Sequence, residues 1–184
     1  MRKSFVVLLA TVLISAGALA QKGKNYIGGG ADLSMPLGVF ADDFNKGAGL
    51  YIKGLLGVGQ SGAVTFTTGY TGLKEIADFD ETTTKVGIVP LLVGYRHNFN
   101  GFFVEPQLGY GLYPYKHNSW EDGFYTEDGG AFTWALGAGY MFNNKIEVSA
   151  RYQSGTSTGT TIAIFGLRLG YNFSLDGTKK SGNK

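Results

Sequence analysis

The sequence predicts an all-β fold, an eight-stranded antiparallel up-and-down transmembrane β-barrel, and three observations support this prediction. Its 184 residues include 30 glycines, 13 phenylalanines and 11 tyrosines but only 4 prolines. Glycine is poor in helix interiors and aromatic residues favour strands, so this composition is typical of strands joined by turns. Apolar and polar residues alternate with a period of two in one segment after another, as they do in β-strands. The connections between these segments alternate between long polar stretches and short turns.

The N-terminal 20 residues are predicted to be a cleaved secretory signal. Basic Arg2 and Lys3 precede an almost wholly apolar run at 5–14, which is shorter than the roughly 20 residues that a transmembrane helix needs. Small residues at 18 and 20 predict cleavage between Ala20 and Gln21. The chain is thereby divided into a signal (1–20), an outer-membrane barrel (21–173) and a polar periplasmic tail (174–184).

The charge of the mature chain excludes one class of partner. Without the signal, 14 basic residues balance 14 acidic ones, so nothing indicates binding to nucleic acid. The chain has no cysteine, which excludes a lipid-modified N-terminal cysteine and a disulfide framework.

Eight strands are predicted in chain order. They are 26–33, 48–58, 63–73, 85–97, 102–113, 130–142, 145–154 and 161–173. The connections at 59–62, 98–101 and 143–144 are short and rich in Asn and Gly, which supply the positive φ angles of tight hairpins. The connections at 34–47, 74–84 and 114–129 are long and polar, and 155–160 is intermediate. Short turns on one side and longer loops on the other are expected of a membrane barrel, which closes because lipid cannot pair a free sheet edge.

The predicted strands separate apolar residues from small, polar and charged ones. Strand 7 sets Ile146, Val148, Ala150 and Tyr152 against Glu147, Ser149, Arg151 and Gln153. Strand 8 sets Phe165, Leu167, Leu169, Tyr171 and Phe173 against Gly166, Arg168, Gly170 and Asn172. Strand 4 is apolar on both faces, so alternation does not define its register. Pro90 and Pro106 each lack a ladder donor, and we expect a bulge or a local gap near them.

The polar face is too rich in glycine and too sparse in charge to be a good solvent surface, but it fits a narrow lumen. Aromatic residues cluster near the strand ends, as expected of girdles at the two membrane interfaces. They are Phe99, Phe102, Phe142, Tyr171 and Phe173 on the turn side and Tyr70, Tyr113, Phe132 and Trp134 on the loop side. The alternative is that these are core aromatics of a secreted β-sandwich.

Three segments resemble a known family. They are Val89-Pro90-Leu91-Leu92-Val93-Gly94-Tyr95-Arg96, Gly101-Phe102-Phe103-Val104-Glu105-Pro106-Gln107-Leu108-Gly109-Tyr110 and Gly166-Leu167-Arg168-Leu169-Gly170-Tyr171-Asn172-Phe173. Their texture is similar to the outer-membrane β-barrel domain family, small eight-stranded barrels similar to OmpX and the OmpA barrel. The resemblance implies a place in the lipid of the outer membrane of a Gram-negative bacterium. It also implies that Tyr171 and Phe173 form the aromatic-x-aromatic signal that the barrel-insertion machinery reads.

Seven ionisable residues fall on the predicted inner face. They are Asp32, Lys53, Arg96, Glu105, Glu147, Arg151 and Arg168. Side chains fill the interior of an eight-stranded barrel, and charges buried there must pair. Adjacent strands and similar heights predict the pairs Glu147–Arg168 and Arg96–Glu105. The favoured interpretation is a salt-bridged plug in a structural barrel, and the alternative is a gated, porin-like conduit for small solutes.

The sequence carries no convincing catalytic or metal site. His117, Asn118 and Ser119 lie close to Asp122, but proximity along a chain does not orient a base toward a nucleophile. No His or Cys cluster has the spacing of a metal site, and no motif indicates a cofactor. We therefore predict that the protein is not an enzyme.

The outer connections are the places where a surface interaction would form. Connections 74–84 and 114–129 each carry a net charge of −3, and 34–47 carries −1. The aromatic residues among these charges are Phe79, Trp120, Phe124 and Tyr125. Because exposed aromatics exceed what solubility needs, we expect them to contact a basic or cation-bridged surface partner, whose identity the sequence leaves unknown.

Overall fold

The structure is a computed structural model that describes residues 23–74, 85–119, 123–157 and 159–175. Eight antiparallel strands form a single closed barrel in which each strand pairs with its neighbours in sequence. The strands are β1 (Tyr26–Leu37), β2 (Gly47–Val58), β3 (Gly62–Lys74), β4 (Lys85–Phe99), β5 (Phe102–Ser119), β6 (Gly123–Phe142), β7 (Ile146–Ser157) and β8 (Thr160–Ser174). One short helix, α1 (Phe40–Asp43), lies between β1 and β2.

The first and last strands close the barrel. β1 pairs with β8 over its whole length, from Tyr26 opposite Ser174 to Leu37 opposite Ala163. No described strand is therefore left with an unpaired edge, which is the condition for a sheet to lie in lipid. The predicted fold class is confirmed. Among the described residues, no helix is long and apolar enough to cross a membrane.

Two of the predicted long loops are wrong in extent. β1 continues to Leu37, so the first outer connection is shorter and contains α1. β5 continues to Ser119 and β6 begins at Gly123, so most of the predicted loop 114–129 is a paired hairpin. Among the described residues, this hairpin extends beyond the strands on either side of it. β4 pairs with β5 only as far as Lys116, and β7 pairs with β6 only as far as Thr133. The sequence of this hairpin is polar and lacks a regular apolar alternation, which is why it resembles a loop.

The outer wall is apolar and the inner wall is buried. Large side chains exposed on the wall include Leu50, Phe66, Leu108, Phe132, Leu169 and Phe173. The predicted girdle residues lie on this surface with one exception: Tyr113 is fully buried and points inward. Its odd number in β5 puts it on the same face as Phe103 and Glu105, so its assignment to the girdle was wrong. An apolar wall of this kind requires lipid around it.

The two prolines interrupt the sheet without shifting it. The β3–β4 register skips from Leu91 to Ile88, leaving a gap at Pro90, and resumes with the same offset. The β4–β5 register skips between Gly94 and His97, opposite Pro106, and also resumes unchanged. Each proline thus leaves a local gap rather than a bulge, because a missing donor removes a bond without adding a residue. The same pairing fixes the register of β4.

An apolar cluster closes the outer end of the interior. Phe40 of α1 and Phe44 lie with their ring centres 4.7 Å apart. They belong to one buried cluster with residues from β3, β4, β5, β6 and β8, namely Leu73, Val86, Ile88, Tyr113, Ala131, Ile162 and Ile164. We call this cluster the outer plug. The outer plug explains why β4 is apolar on both faces: its outer face lies on the apolar wall, and its inner face contributes Val86 and Ile88 to the plug.

Candidate functional site in the barrel lumen

The middle of the lumen holds the charged side chains. All seven ionisable residues predicted to face inward are buried, with exposed fractions between 0% for Arg96 and 6% for Arg168. They are Asp32, Lys53, Arg96, Glu105, Glu147, Arg151 and Arg168. Six of them form ion pairs, and each partner lies on a different strand. Arg96 and Glu105 join the consecutive strands β4 and β5, whereas the other ion pairs join strands that are farther apart in sequence.

Two cations and two carboxylates form a closed cluster, the lumen cluster. Lys53 Nζ lies 3.2 Å from Glu105 Oε2 and 3.1 Å from Glu147 Oε1. Arg96 donates from Nε to Glu105 Oε2 at 2.6 Å and from Nη1 to Glu147 Oε2 at 2.9 Å. Each cation therefore contacts both carboxylates. Such mutual pairing is what offsets the desolvation of four charges.

The remaining charges lie in a second group. Arg168 donates from Nε to Asp32 Oδ2 at 2.6 Å, and the Ser34 hydroxyl donates to the other oxygen of Asp32. Arg151 donates from Nη2 to the side-chain oxygen of Gln153 at 2.6 Å. Arg168 and Asp32 are direct partners across the β1–β8 closure, so this ion pair lies at the seam of the barrel.

One predicted pair is present and the other is wrong. Arg96 and Glu105 are joined as expected, but Glu147 pairs with Lys53 and Arg96 rather than with Arg168. In the β7–β8 register, Glu147 lies opposite Gly170 and Arg168 opposite Ser149. The reason is that a narrow lumen brings side chains of non-adjacent strands together, so that β2 and β4 reach across it to β7.

Aromatic rings and glycines complete the lining of the lumen, and the two rings, Tyr51 and Phe103, were not among the predicted site residues. The guanidinium carbon of Arg96 lies 3.6 Å from the centre of the Phe103 ring, and that of Arg168 lies 4.5 Å from the Tyr51 ring. A side chain at Gly170 would overlap the hydroxyl of Tyr51. The alternation along the strands could have identified these rings, since Tyr51 and Phe103 lie two positions before Lys53 and Glu105 on the same inward faces.

The other predicted site residues lie partly outside the described part of the chain. Phe79 and Trp120 lie outside the described residues, as do Ala20 and Gln21 at the predicted cleavage site and most of the tail. The backbones of Phe124 and Tyr125 pair with Asn118 and His117 in the projecting hairpin, but their side chains lie outside what is described. Tyr171 and Phe173 are exposed on the outer wall, with ring centres 4.7 Å apart.

The residues that were weighed as a catalytic site were predicted to lie in a loop, but the structure places three of them in a strand. His117, Asn118 and Ser119 lie on β5 with extended pairing to β6, and Asp122 lies outside the described residues. In the part of the chain that the structure describes, no group of three His, Asp or Glu residues is placed to hold a metal ion.

Comparison with known proteins gives the same fold. The family model described as "Outer membrane protein beta-barrel domain" matches residues 6–173. Ail, the attachment invasion locus protein of Yersinia pestis, solved with the heparin analogue sucrose octasulfate, is 16% identical with a TM-score of 0.66, over 83% of this chain and 100% of that one. Neisserial surface protein A is 13% identical with a TM-score of 0.56, over 80% and 95%. The N-terminal β-barrel domain of Pseudomonas aeruginosa OprF is 14% identical with a TM-score of 0.55, over 83% and 100%. No curated protein matches the sequence.

Proposed function

Because the chain belongs to the outer membrane protein β-barrel domain family and resides in the bacterial outer membrane, we propose that it is a non-enzymatic barrel with a filled lumen. Its role is structural or lies in surface interaction through its outer connections. Its partners during assembly are outer-membrane lipid and the barrel-insertion machinery, with Tyr171 and Phe173 as the insertion signal.

The observation that supports this proposal is that buried side chains occupy the lumen at two levels. The lumen cluster crosses the middle of the barrel with four ionised side chains that bind one another. The outer plug closes the outer end with Phe40, Phe44 and Tyr113, each at most 8% exposed. A solute would have to displace both layers. Ion pairs that join four strands also stiffen the wall, which supports a structural role.

Conductance in planar lipid bilayers tests the closed lumen. The unmodified protein should give no steady current. The double variant Phe40→Ala/Phe44→Ala should also give none, because the lumen cluster remains as a barrier. Adding Glu105→Gln and Glu147→Gln to that variant should produce current. Steady current from the unmodified protein would overturn the proposal.

The projecting β5–β6 hairpin supports a surface role. It carries the acidic residues Glu127 and Asp128 beyond the last β6 residue that pairs with β7, and the backbone positions of Phe124 and Tyr125 beyond the ends of both the β4 and the β7 pairing. Ail, which shares the fold, is described as an attachment protein and was solved with a polyanion. The acidic character of the present outer connections disfavours a polyanion and favours a basic or cation-bridged partner.

Binding to charged surfaces tests the surface role. Proteoliposomes with the intact protein should bind a poly-lysine surface. They should bind a heparin surface only when calcium is present, and should not bind heparin alone.

Replacing residues 114–128 by Asn-Gly leaves Tyr113 opposite Gly129, a spacing that a two-residue hairpin turn can join. This variant should lose binding but keep its insertion. A matched control, Phe124→Ser/Tyr125→Ser, keeps the hairpin length and charge and should lose only the aromatic contribution. Full binding by the shortened barrel would contradict the role of the hairpin.

One observation favours the alternative of a conduit. A cavity of about 400 Å³ opens at the end of the barrel with the short turns, lined by Tyr26, Leu55, Gln60, Ala63, Asn98 and Met141 among others. Its lining includes Leu55 and Ala63, which are buried on the inner faces of β2 and β3. A porin-like conduit would use this cavity as its inner vestibule, and the conductance experiment decides between the two functions.

A further inference from the structure

Arg151 differs from the other buried cations of the lumen because it has no carboxylate partner among the described residues. Its side chain is 5% exposed. Within the described part of the chain, its Nη2 donates to the neutral amide oxygen of Gln153, and its Nε has no partner. By contrast, Lys53, Arg96 and Arg168 each contact at least one carboxylate.

Among the described residues, the buried charges of the lumen do not balance. The buried residues that the structure describes include four cations and three carboxylates. Asp32 and Arg151 line the same small cavity, but the two oxygens of Asp32 accept from Arg168 and Ser34. An uncompensated guanidinium in a region of low dielectric is costly, and arginine does not lose its proton in proteins.

A small void adjoins this unpaired cation. It has a volume of about 10 Å³ and is lined by polar and apolar side chains from five strands. They include Arg151, Arg168, Gln153, Thr71, Ser34 and Asp32. This is about the size at which a cavity first holds one water-sized particle. The void is therefore a small space surrounded by N–H and O–H groups, and its lining carries a net positive charge.

We propose that this void is a binding site for one small monovalent anion, of the size of chloride, held by Arg151 and the donors around it. The bound anion makes the lumen electrically neutral. The site is too small for sulfate, phosphate or a carboxylic acid, so the occupant is a halide-sized ion. A water molecule would also fit, but it would leave the charge of Arg151 uncompensated.

Chloride dependence of stability tests the proposal. Unfolding of the full chain in lipid vesicles is followed in urea while chloride replaces gluconate at constant ionic strength. A ligand that binds only the folded state stabilises it by mass action, so each tenfold rise in chloride above the dissociation constant should raise the folding equilibrium constant up to about tenfold. Bromide should act like chloride, and crystals grown in bromide should show an anomalous peak beside Arg151.

Two variants separate the site from general salt effects. Gln153→Glu keeps the shape of the side chain that already contacts Arg151 and supplies an internal counter-charge, so the chloride response should disappear. Arg151→Gln removes the cation and should also abolish the response. Lys145→Gln, at an exposed turn position, is the control and should respond like the parent. If Arg151→Gln does not fold, Gln153→Glu decides alone. An equal response to chloride and gluconate in the parent, or an undiminished chloride response in Gln153→Glu, would overturn the proposal.

Discussion

Glu147→Gln tests the lumen cluster, because it removes a charge and leaves the size of the side chain almost unchanged. Glu147 is 1% exposed and accepts from Lys53 at 3.1 Å and from Arg96 at 2.9 Å. Removing one partner from a buried ion pair costs about 3–5 kcal/mol, since the other charge is left uncompensated. Glu105 still contacts both cations, so we expect a loss near the lower end, about 3 kcal/mol in the free energy of unfolding.

A second variant distinguishes charge imbalance from loss of packing. Lys53→Gln/Glu147→Gln removes one charge of each sign and leaves Arg96 paired with Glu105. It should recover at least half of the loss, or about 1.5 kcal/mol, and the Lys53→Gln single variant completes the cycle that gives the coupling energy of the two residues. Glu147→Gln combined with Arg168→Gln should be additive within about 0.5 kcal/mol, because these residues belong to separate groups of ion pairs.

Urea unfolding of the protein refolded into lipid vesicles, followed by tryptophan fluorescence, measures these free energies. Lys145→Gln lies at an exposed turn and should change stability by less than about 0.5 kcal/mol. If Glu147→Gln behaves like this control, the cluster does not stabilise the barrel. A strong coupling between Glu147 and Arg168 would instead restore the pair expected from adjacent strands and refute the arrangement seen here.

Four further predictions concern the wall, the ends of the chain and one buried hydroxyl. Tyr51→Phe should stabilise the protein by about 1 kcal/mol in the same urea assay, because the Tyr51 hydroxyl is buried without a partner among the described residues; a loss of stability would show that the hydroxyl is bonded. The closed barrel should resist detergent until boiled and then change its gel mobility, whereas identical migration before and after boiling would count against closure. N-terminal sequencing of membrane-inserted protein should begin at Gln21, and a retained signal would disprove cleavage. Tyr171→Ser/Phe173→Ser should slow assembly in cells, measured as the fraction of heat-shiftable protein over time, and an unchanged rate would remove these residues as the insertion signal.

The sequence by itself determined the wall of this protein. Alternation with a period of two fixes which side chains share a face, and the turns rich in Asn and Gly mark where strands reverse. Asn100, Asn143 and Asn144 indeed have positive φ angles. These signals are local in the chain, and they were sufficient to predict eight strands, the closed fold and the inward positions of all seven ionisable residues.

The tertiary structure decided which inward residues meet. Lys53 and Glu147 are 94 positions apart and lie on strands that are not neighbours, so no spacing in the sequence could join them. The stagger of the strands around the barrel sets the height of each side chain, and the narrow lumen then brings opposite walls into contact. The same geometry folded Phe40 and Phe44 into the outer end and left Arg151 without a carboxylate partner among the described residues. Alternation is a property of one strand, whereas partners across a lumen depend on all eight at once.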